Sequence, residues 1–292
     1  MAVDERDPHT GHKTTGHEWN GIKELNTPVP KAVWFFLIVT GLFSLGYWIL
    51  MPAWPTGRSY TPGLLGRSDS QQVRAQREAA RLARADWYKQ LEAASYAQLL
   101  ADPAAMDRIR SEGARLFGDN CAACHGSGGH GGLGFPNLAD RDWLWGGSPE
   151  AVAETIRVGV NSTHPNTRVS EMIAFGAGGI LNSGQVANVA DYVASLSDPA
   201  LAKAKPNSVR AGRLVFEANC VPCHGADARG NPSLGAPNLT DRAWINGGGW
   251  QAIYSTISGG RKGEMPSWES RLSPAERKLL TVYVLDLGRR AP

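Results

Sequence analysis

The chain lacks the residues of bond-making chemistry. It has no nucleophile beside a base, no glycine-rich phosphate loop and no paired carboxylates at motif spacing. Nothing in it therefore reads as a substrate pocket. Charge of one sign is also missing: 30 Lys and Arg stand against 27 Asp and Glu, a net +3. That balance argues for neither nucleic acid nor a strongly charged partner, and no nucleic acid is expected. Long apolar strand-like runs are scarce, whereas glycine is plentiful at 34 residues. Such a composition suits small helical domains joined by loops and wrapped around a prosthetic group. Sulfur is sparse, with four cysteines and five methionines in 292 residues, so each one is informative.

All four cysteines fall in two copies of one motif, Cys121-Ala122-Ala123-Cys124-His125 and Cys220-Val221-Pro222-Cys223-His224. C-x-x-C-H is the attachment signature of a c-type haem. Two thiols add across the haem vinyl groups, and the adjacent histidine becomes the proximal iron ligand. A zinc ribbon would bring its cysteine pairs within roughly 15–20 residues of each other; here the pairs are 99 positions apart. Two disulfides would leave both histidines as coincidence. Two covalently bound haem c groups are expected.

One stretch differs from the rest. Ala32 to Met51 is twenty residues without a charge, with Trp34 near one end and Tyr47, Trp48 and Trp54 near the other. Its length matches a hydrocarbon core of about 30 Å, and the aromatics match interfacial belts. The 31 preceding residues are polar and no small-residue cleavage site follows, so an uncleaved anchor is favoured over a signal peptide. Four basic residues on each side leave the positive-inside rule silent. Haem attachment to C-x-x-C-H takes place outside the bacterial cytoplasmic membrane. A cytoplasmic N-terminus and periplasmic haem domains follow as the expectation, in the bacterial inner membrane.

The predicted organisation is mainly α. Residues 1–31 form a cytoplasmic segment, 32–51 the transmembrane anchor and 52–107 a periplasmic linker with a helix. Two tandem class I cytochrome c domains follow, at 108–200 and 206–292. In the linker, residues 70–100 read as helix, with Ala80, Ala83, Trp87, Leu91 and Ala94 on one face and an Arg74–Glu78 pair on the other. Asp102-Pro103 ends or restarts it. This helix is either a strut that docks on a partner or a solvated spacer. The remainder is a tandem repeat. Gly113, Phe117 and Asn120 match Gly212, Phe216 and Asn219 at an offset of 99. Pro136-Asn137-Leu138, Asp140, Arg141, Trp143, Gly146 and Gly147 match Pro237-Asn238-Leu239, Asp241, Arg242, Trp244, Gly247 and Gly248 at an offset of 101. Each copy ends in an apolar helix, at Tyr192-Val193 and Tyr283-Val284.

The sixth iron ligand follows by elimination. Met1 and Met51 lie before or in the span and Met106 precedes the first motif, which leaves Met172 after His125 and Met265 after His224. His/Met ligation suits an electron carrier. His164, in a polar stretch, competes with Met172. A haem-ligating histidine needs an acceptor for its other ring nitrogen; the carbonyls of Pro136 and Pro237 suit, or these prolines only shape a turn. Arg141 with Trp143, and Arg242 with Trp244, offer donors to haem propionates or are surface arginines beside packed tryptophans. His9, His12, His17 and His130 read as solvated.

The stretch Glu18-Trp19-Asn20-Gly21-Ile22-Lys23-Glu24-Leu25-Asn26-Thr27-Pro28-Val29-Pro30, running into the span, resembles the start of the dihaem subunit (subunit III) of cbb3-type cytochrome c oxidases. The anchor, the helical spacer, the Pro-Asn-Leu-x-Asp segments and Met172 to Gly176 are similar as well. Some members carry two spans; this chain shows one. The resemblance implies the electron-transfer subunit of a proton-pumping terminal oxidase of aerobic respiration. Soluble or anchored cytochrome c would supply electrons, which would pass to a monohaem subunit and on to the catalytic haem–copper subunit. Oxygen reduction belongs to that partner, and this chain carries no oxygen-reduction site or catalytic residue of its own. The alternatives are a free-standing membrane-anchored dihaem shuttle and a haem-based redox or gas sensor.

Overall fold

The computed structural model describes residues 5–290. Residues 1–4 of the predicted N-terminal segment, Met1 included, and residues 291–292 of the predicted second haem domain lie outside the described residues. The chain divides into two compact units, one up to Ala83 and one from Arg84 onward.

The first unit opens with a β-hairpin that the sequence reading did not anticipate. β1 (Thr14–Trp19) pairs antiparallel with β2 (Ile22–Leu25), with Trp19 opposite Ile22. Asn20 and Gly21 both have positive φ, 51° and 86°. Two left-handed residues make the hairpin turn that matches strand twist, and Asn-Gly is its usual pair. Helix α1 (Lys31–Leu50) follows, within one residue of the predicted span and with none of its residues buried. The chain then turns back on the helix end. Leu64 and Leu65 donate their N–H groups to the carbonyls of Ile49 and Leu50, at 2.9 and 3.0 Å. Those carbonyls would otherwise lack partners at a helix C-terminus. Gly63 allows the approach, since a Cβ there would lie 2.6 Å from the Leu50 oxygen. The Trp48 and Trp54 rings meet at 5.0 Å.

Helix α2 (Asp69–Ala93) runs from the first unit into the second. Its Glu78 pairs with Arg81 at 2.6 Å through Nη2, so the Arg74–Glu78 pair predicted from spacing is replaced by a closer i,i+3 partner. A capping box at Ser95 and Gln98 starts α3 (Tyr96–Ala101). Asp102 accepts from the amides of Ala104 and Ala105 and, with Pro103, starts α4 (Pro103–Asn120). The last turns of α2 are not a solvated spacer, and their apolar face packs on the chain's own core. Leu91 is fully buried, and Trp87 and Tyr88 pack against the same core. Lys278 donates to the carbonyls of Glu92, in the last turn of α2, and Ala94, just past it, at 2.7 and 2.5 Å, and so caps the helix end.

Two cytochrome c domains make up the rest. After α4 come the single turn α5 (Ala122–His125), α6 (Pro149–Val158) and α7 (Ser183–Ser197). The second copy has α8 (Pro199–Ala204) as its lead-in, then α9 (Pro206–Asn219), the turn α10 (Val221–His224), α11 (Trp250–Gly259) and α12 (Pro274–Arg290). The predicted domains, 108–200 and 206–292, describe the sequence repeat, but the packing exchanges the ends of the two copies. One core joins Ile109, Phe117, Val152 and Ile156 of the first copy to Trp268, Leu279, Tyr283 and Leu287 of the second. The other joins Phe216, Ile253 and Ile257 of the second copy to Val186, Val189 and Val193 of the first.

The repeated residues make the crossings. Phe117 meets Tyr283 at 5.6 Å between ring centres, and Phe216 meets Tyr192 at 5.2 Å. A Cβ on Gly113 would lie 2.8 Å from the Tyr283 ring, and one on Gly212 would lie 1.9 Å from the Asn188 oxygen. Glycine is needed at both because helix meets helix there. Polar clasps lock the same pairs. Asp286 of α12, nearly inaccessible, takes Arg110 of α4 at 2.9 and 3.0 Å. Asp191 of α7 takes Lys205 at 2.8 Å and Ser208 of α9 at 2.6 Å.

Candidate functional site: two haem c centres

Each C-x-x-C-H turn begins where a long helix stops. Asn120 and Asn219 turn their side-chain amides back onto the carbonyls of Leu116 and Val215, at 2.8 and 2.9 Å. α5 and α10 then run for one turn and end at Gly126 and Gly225, whose φ angles are +74° and +78°. The four cysteines are free of disulfides; Cys121 and Cys220 sit half-buried against the cores, and Cys124 and Cys223 are exposed. Burial pushes the Cys121 and Cys220 thiols up to about 11. As thiols they are neutral, the form that a half-apolar environment favours.

Both histidines are held alike. His125 Nδ1 lies 3.0 Å from the Pro136 carbonyl, and His224 Nδ1 lies 3.0 Å from that of Pro237. A carbonyl only accepts, so Nδ1 carries the proton and Nε2 keeps its lone pair. Burial pushes both imidazoles below their ordinary pKa, against the opposing effect of the carbonyls. A neutral ring with a free Nε2 is the state that binds a metal. The Pro-Asn-Leu segments shape the return of the chain: Asn137 and Asn238 accept from the amides of Ala139 and Thr240.

The two methionines follow the exchange of helices. Met265 packs on the core that contains Cys121, and Met172 on the core that contains Cys220. The sequence reading paired Met172 with His125 and Met265 with His224; in the fold each methionine instead packs on the core beside the other copy's first cysteine. Backbone bonds hold the reversed arrangement. Val160, just past α6, exchanges two bonds with Met265 at 2.9 Å each, and Arg261, just past α11, exchanges two with Met172 at 2.8 Å each. His164 is turned elsewhere. Its Nε2 meets Glu269 at 2.6 Å and its Nδ1 accepts from the Asn166 amide. His9, His12, His17 and His130 are exposed, as expected.

Arg141, Trp143, Arg242 and Trp244 line one cavity of about 440 Å³, together with Pro136 and Pro237. Trp143 and Trp244 pack closely on Gly147 and Gly248, where a Cβ would lie 2.5 Å from each ring. Among the described residues, neither guanidinium has a carboxylate partner within ion-pair distance. Asp140 and Asp241 share the cavity, and burial holds their carboxyls above the usual range. Arg168 was not singled out from sequence. Its guanidinium lies 4.9 Å from the Trp145 ring centre, and its buried Nε has no partner. Two free imidazole nitrogens, four unbridged thiols and donors without acceptors fit a pair of anionic, thiol-linked, iron-bearing groups. The donor set is that of haem c.

Comparison with known proteins agrees with this chemistry. The family model described as the N-terminal domain of cytochrome oxidase-cbb3, FixP, matches residues 11–58. Cytochrome c matches residues 111–197, and cytochrome c oxidase, cbb3-type, subunit III matches residues 207–284. The cbb3-type cytochrome c oxidase subunit FixP of Bradyrhizobium sp. (strain ORS 278) is 46% identical over 97% of both chains. FixP of Rhizobium meliloti (strain 1021) is 42% identical over 97% of this chain and 96% of its own, and subunit CcoP of Azospirillum brasilense 39% over 99% of both. With an N-terminal apolar helix that fits a membrane anchor and two cytochrome c domains that imply covalent haem c, the chain belongs to the FixP/CcoP family, the cytochrome c subunit III of cbb3-type cytochrome c oxidases.

Proposed function

We propose that the chain binds two haem c groups with crossed axial ligands and relays electrons between them within the oxidase. Cys121, Cys124, His125 and Met265 would hold one; Cys220, Cys223, His224 and Met172 would hold the other. Haem c supplies a reversible one-electron iron couple when bound. The protein's part is to keep that couple closed and oriented. The Pro136 and Pro237 carbonyls fix the histidine rings. The methionine thioethers would hold the iron opposite the histidines, which would favour the reduced state over two nitrogen ligands and leave no open site for oxygen. Arg141 with Trp143, and Arg242 with Trp244, would bind the propionates.

The observation that carries the relay is the shared cavity. Both Arg–Trp pairs line one space, so propionates held by them would face a common interior. Electrons would enter from a soluble or anchored cytochrome c and leave through a monohaem subunit toward the haem–copper subunit, where oxygen is reduced and protons are pumped. The haem domains would be periplasmic and the N-terminus cytoplasmic. Residues 17–51 would dock on the catalytic subunit and keep the relay close to its acceptor.

Ligation is tested with chains that carry one haem. With Cys220 and Cys223 both changed to Ser, the remaining iron should lose its near-infrared methionine band in Met265→Ala and keep it in Met172→Ala. The opposite result would restore pairing within each copy. Docking is tested by exchanging residues 17–51 for an unrelated single-span anchor. Haem attachment should persist, while co-purification with the haem–copper subunit and cytochrome c oxidation by the membranes should fall. Full activity of the chimera would reduce the segment to an anchor.

A further inference from the structure

The two methionine loops are not equally long. Gly159 and Gly260 end matching helices 101 positions apart, yet Met172 and Met265 are only 93 apart. The first copy therefore carries eight extra residues, and they begin at Asn161. Asn161 is one of three residues other than glycine with positive φ among the described residues, at 49°. Its backbone N–H donates to the Arg168 carbonyl at 2.8 Å, which closes the extra loop.

The side chain of Asn161 does something different. Its Nδ2 donates to the carbonyl of Ser170 and to that of Gly263, both at 2.7 Å. Its Oδ1 accepts from the Ser170 amide at 3.1 Å. Ser170 is two residues before Met172, and Gly263 is two residues before Met265. One carboxamide thus uses both donors and one acceptor lone pair on two strands, each leading to a methionine. The second copy has Lys262 after Arg261 and no carboxamide there.

We propose that Asn161 is a positioning residue for both iron ligands, a single pin that fixes the Met172 and Met265 loops against each other. The proposal rests on the reading of Met172 and Met265 as axial ligands. A purely local role, shaping the extra loop, would predict that neither ligand responds to its loss. The pin predicts that both respond together, although the residue belongs to one copy.

The test uses the full-length haem-loaded chain. Asn161→Gly keeps the left-handed backbone and removes the amide. Asn161→Asp keeps the shape but sets a carboxylate against two carbonyl oxygens. Asn166→Ala, at the exposed tip of the same loop, controls for general disturbance. The readouts are the ferric near-infrared methionine–iron band and carbon monoxide binding by the ferrous protein. Both are measured in otherwise native chains and in Met172→Ala and Met265→Ala backgrounds, each of which leaves one methionine. Losing hydrogen bonds of ordinary net worth should raise the methionine-off fraction about threefold to tenfold at each iron in Asn161→Gly. The rise should be larger in Asn161→Asp and absent in Asn166→Ala, with haem content unchanged. A change at only one iron, or at neither, overturns the proposal. If the two Met→Ala backgrounds themselves leave the band intact, the axial-ligand reading fails instead. Should Asn161→Gly yield no haem-bearing protein, the Asn161→Asp chain is read by the same criteria.

Discussion

The crossed packing makes a sharp demand on Gly159. A Cβ there would lie 2.3 Å from the Met265 oxygen and 2.8 Å from backbone atoms of Pro266 and Ser267. Backbone contacts cannot swing aside as a side chain can. Real Cβ contacts essentially never fall below 3.0 Å, so in Gly159→Ala the Met265 carbonyl must retreat by at least about 0.7 Å. Gly159 also sits at φ +72°, where alanine costs about 1–2 kcal/mol. The Val160 N–H bond to that carbonyl, 2.9 Å, is lost with the displacement, for about 1 kcal/mol more. The total of about 2–3 kcal/mol acts against the methionine-on state and corresponds to a shift of about thirtyfold to 150-fold. In a chain whose only haem is on Cys121 and Cys124, Gly159→Ala should therefore weaken the methionine–iron band, admit carbon monoxide and lower the potential. In a chain whose only haem is on Cys220 and Cys223, the same change should leave all three nearly as they were. If the second haem responds and the first does not, the assignment of Met265 is wrong.

Three further outcomes are expected. Gly212→Ala, which forces a methyl against the Asn188 oxygen where α9 crosses α7, should destabilise the second core by more than about 2 kcal/mol, read as an earlier thermal loss of the Cys220 haem's ligation. Burial alone would raise the Asp191 carboxyl, but Lys205 and Ser208 outweigh it and hold its pKa below the usual range. Its stabilising effect is thus present above the ordinary value of about 3.9 and fades as pH falls below that; Asp191→Asn should be less stable at pH 7 and should lose less on acidification, by thermal melts. Protease added to intact spheroplasts should release haem-bearing fragments and leave the N-terminal segment protected; protected haem domains would overturn the topology.

The C-x-x-C-H turns and their cytochrome c domains were legible because their chemistry is local. Five adjacent residues specify each attachment turn, and eleven and thirteen residues separate each histidine from its proline carbonyl. The span was legible for the same reason, since a charge-free helix needs no distant partner to declare itself. The hairpin was missed although Asn20-Gly21 between Trp19 and Ile22 is its signal; strands of six and four residues are too short to show alternation. The stripe of Trp87 and Leu91 was seen, but not that its partner is the chain's own core. The exchange was hidden by the repeat itself. Both copies offer the same glycine, phenylalanine and tyrosine, so Gly113 fits Tyr192 as well as Tyr283 by residue type. The deciding feature is the connector. Ser197 and Pro206 are joined by one short helix, and consecutive helices on short connections pack as neighbours. α7 is therefore taken by α9, and α4 must wait for α12.

That wait has a consequence for how the protein is made. A chain emerges N-terminus first, yet on the proposed ligation the first attachment motif would depend on Met265, 140 residues after His125, and on α12. The second motif would find Met172 already made. The motif synthesised first would thus be completed after the second, once α12 has joined α4. Loss of the last few turns would spare the nearer, later site and ruin the earlier one. On the proposed ligation, the order in which the two motifs are synthesised and the order in which their centres close would thus be opposite.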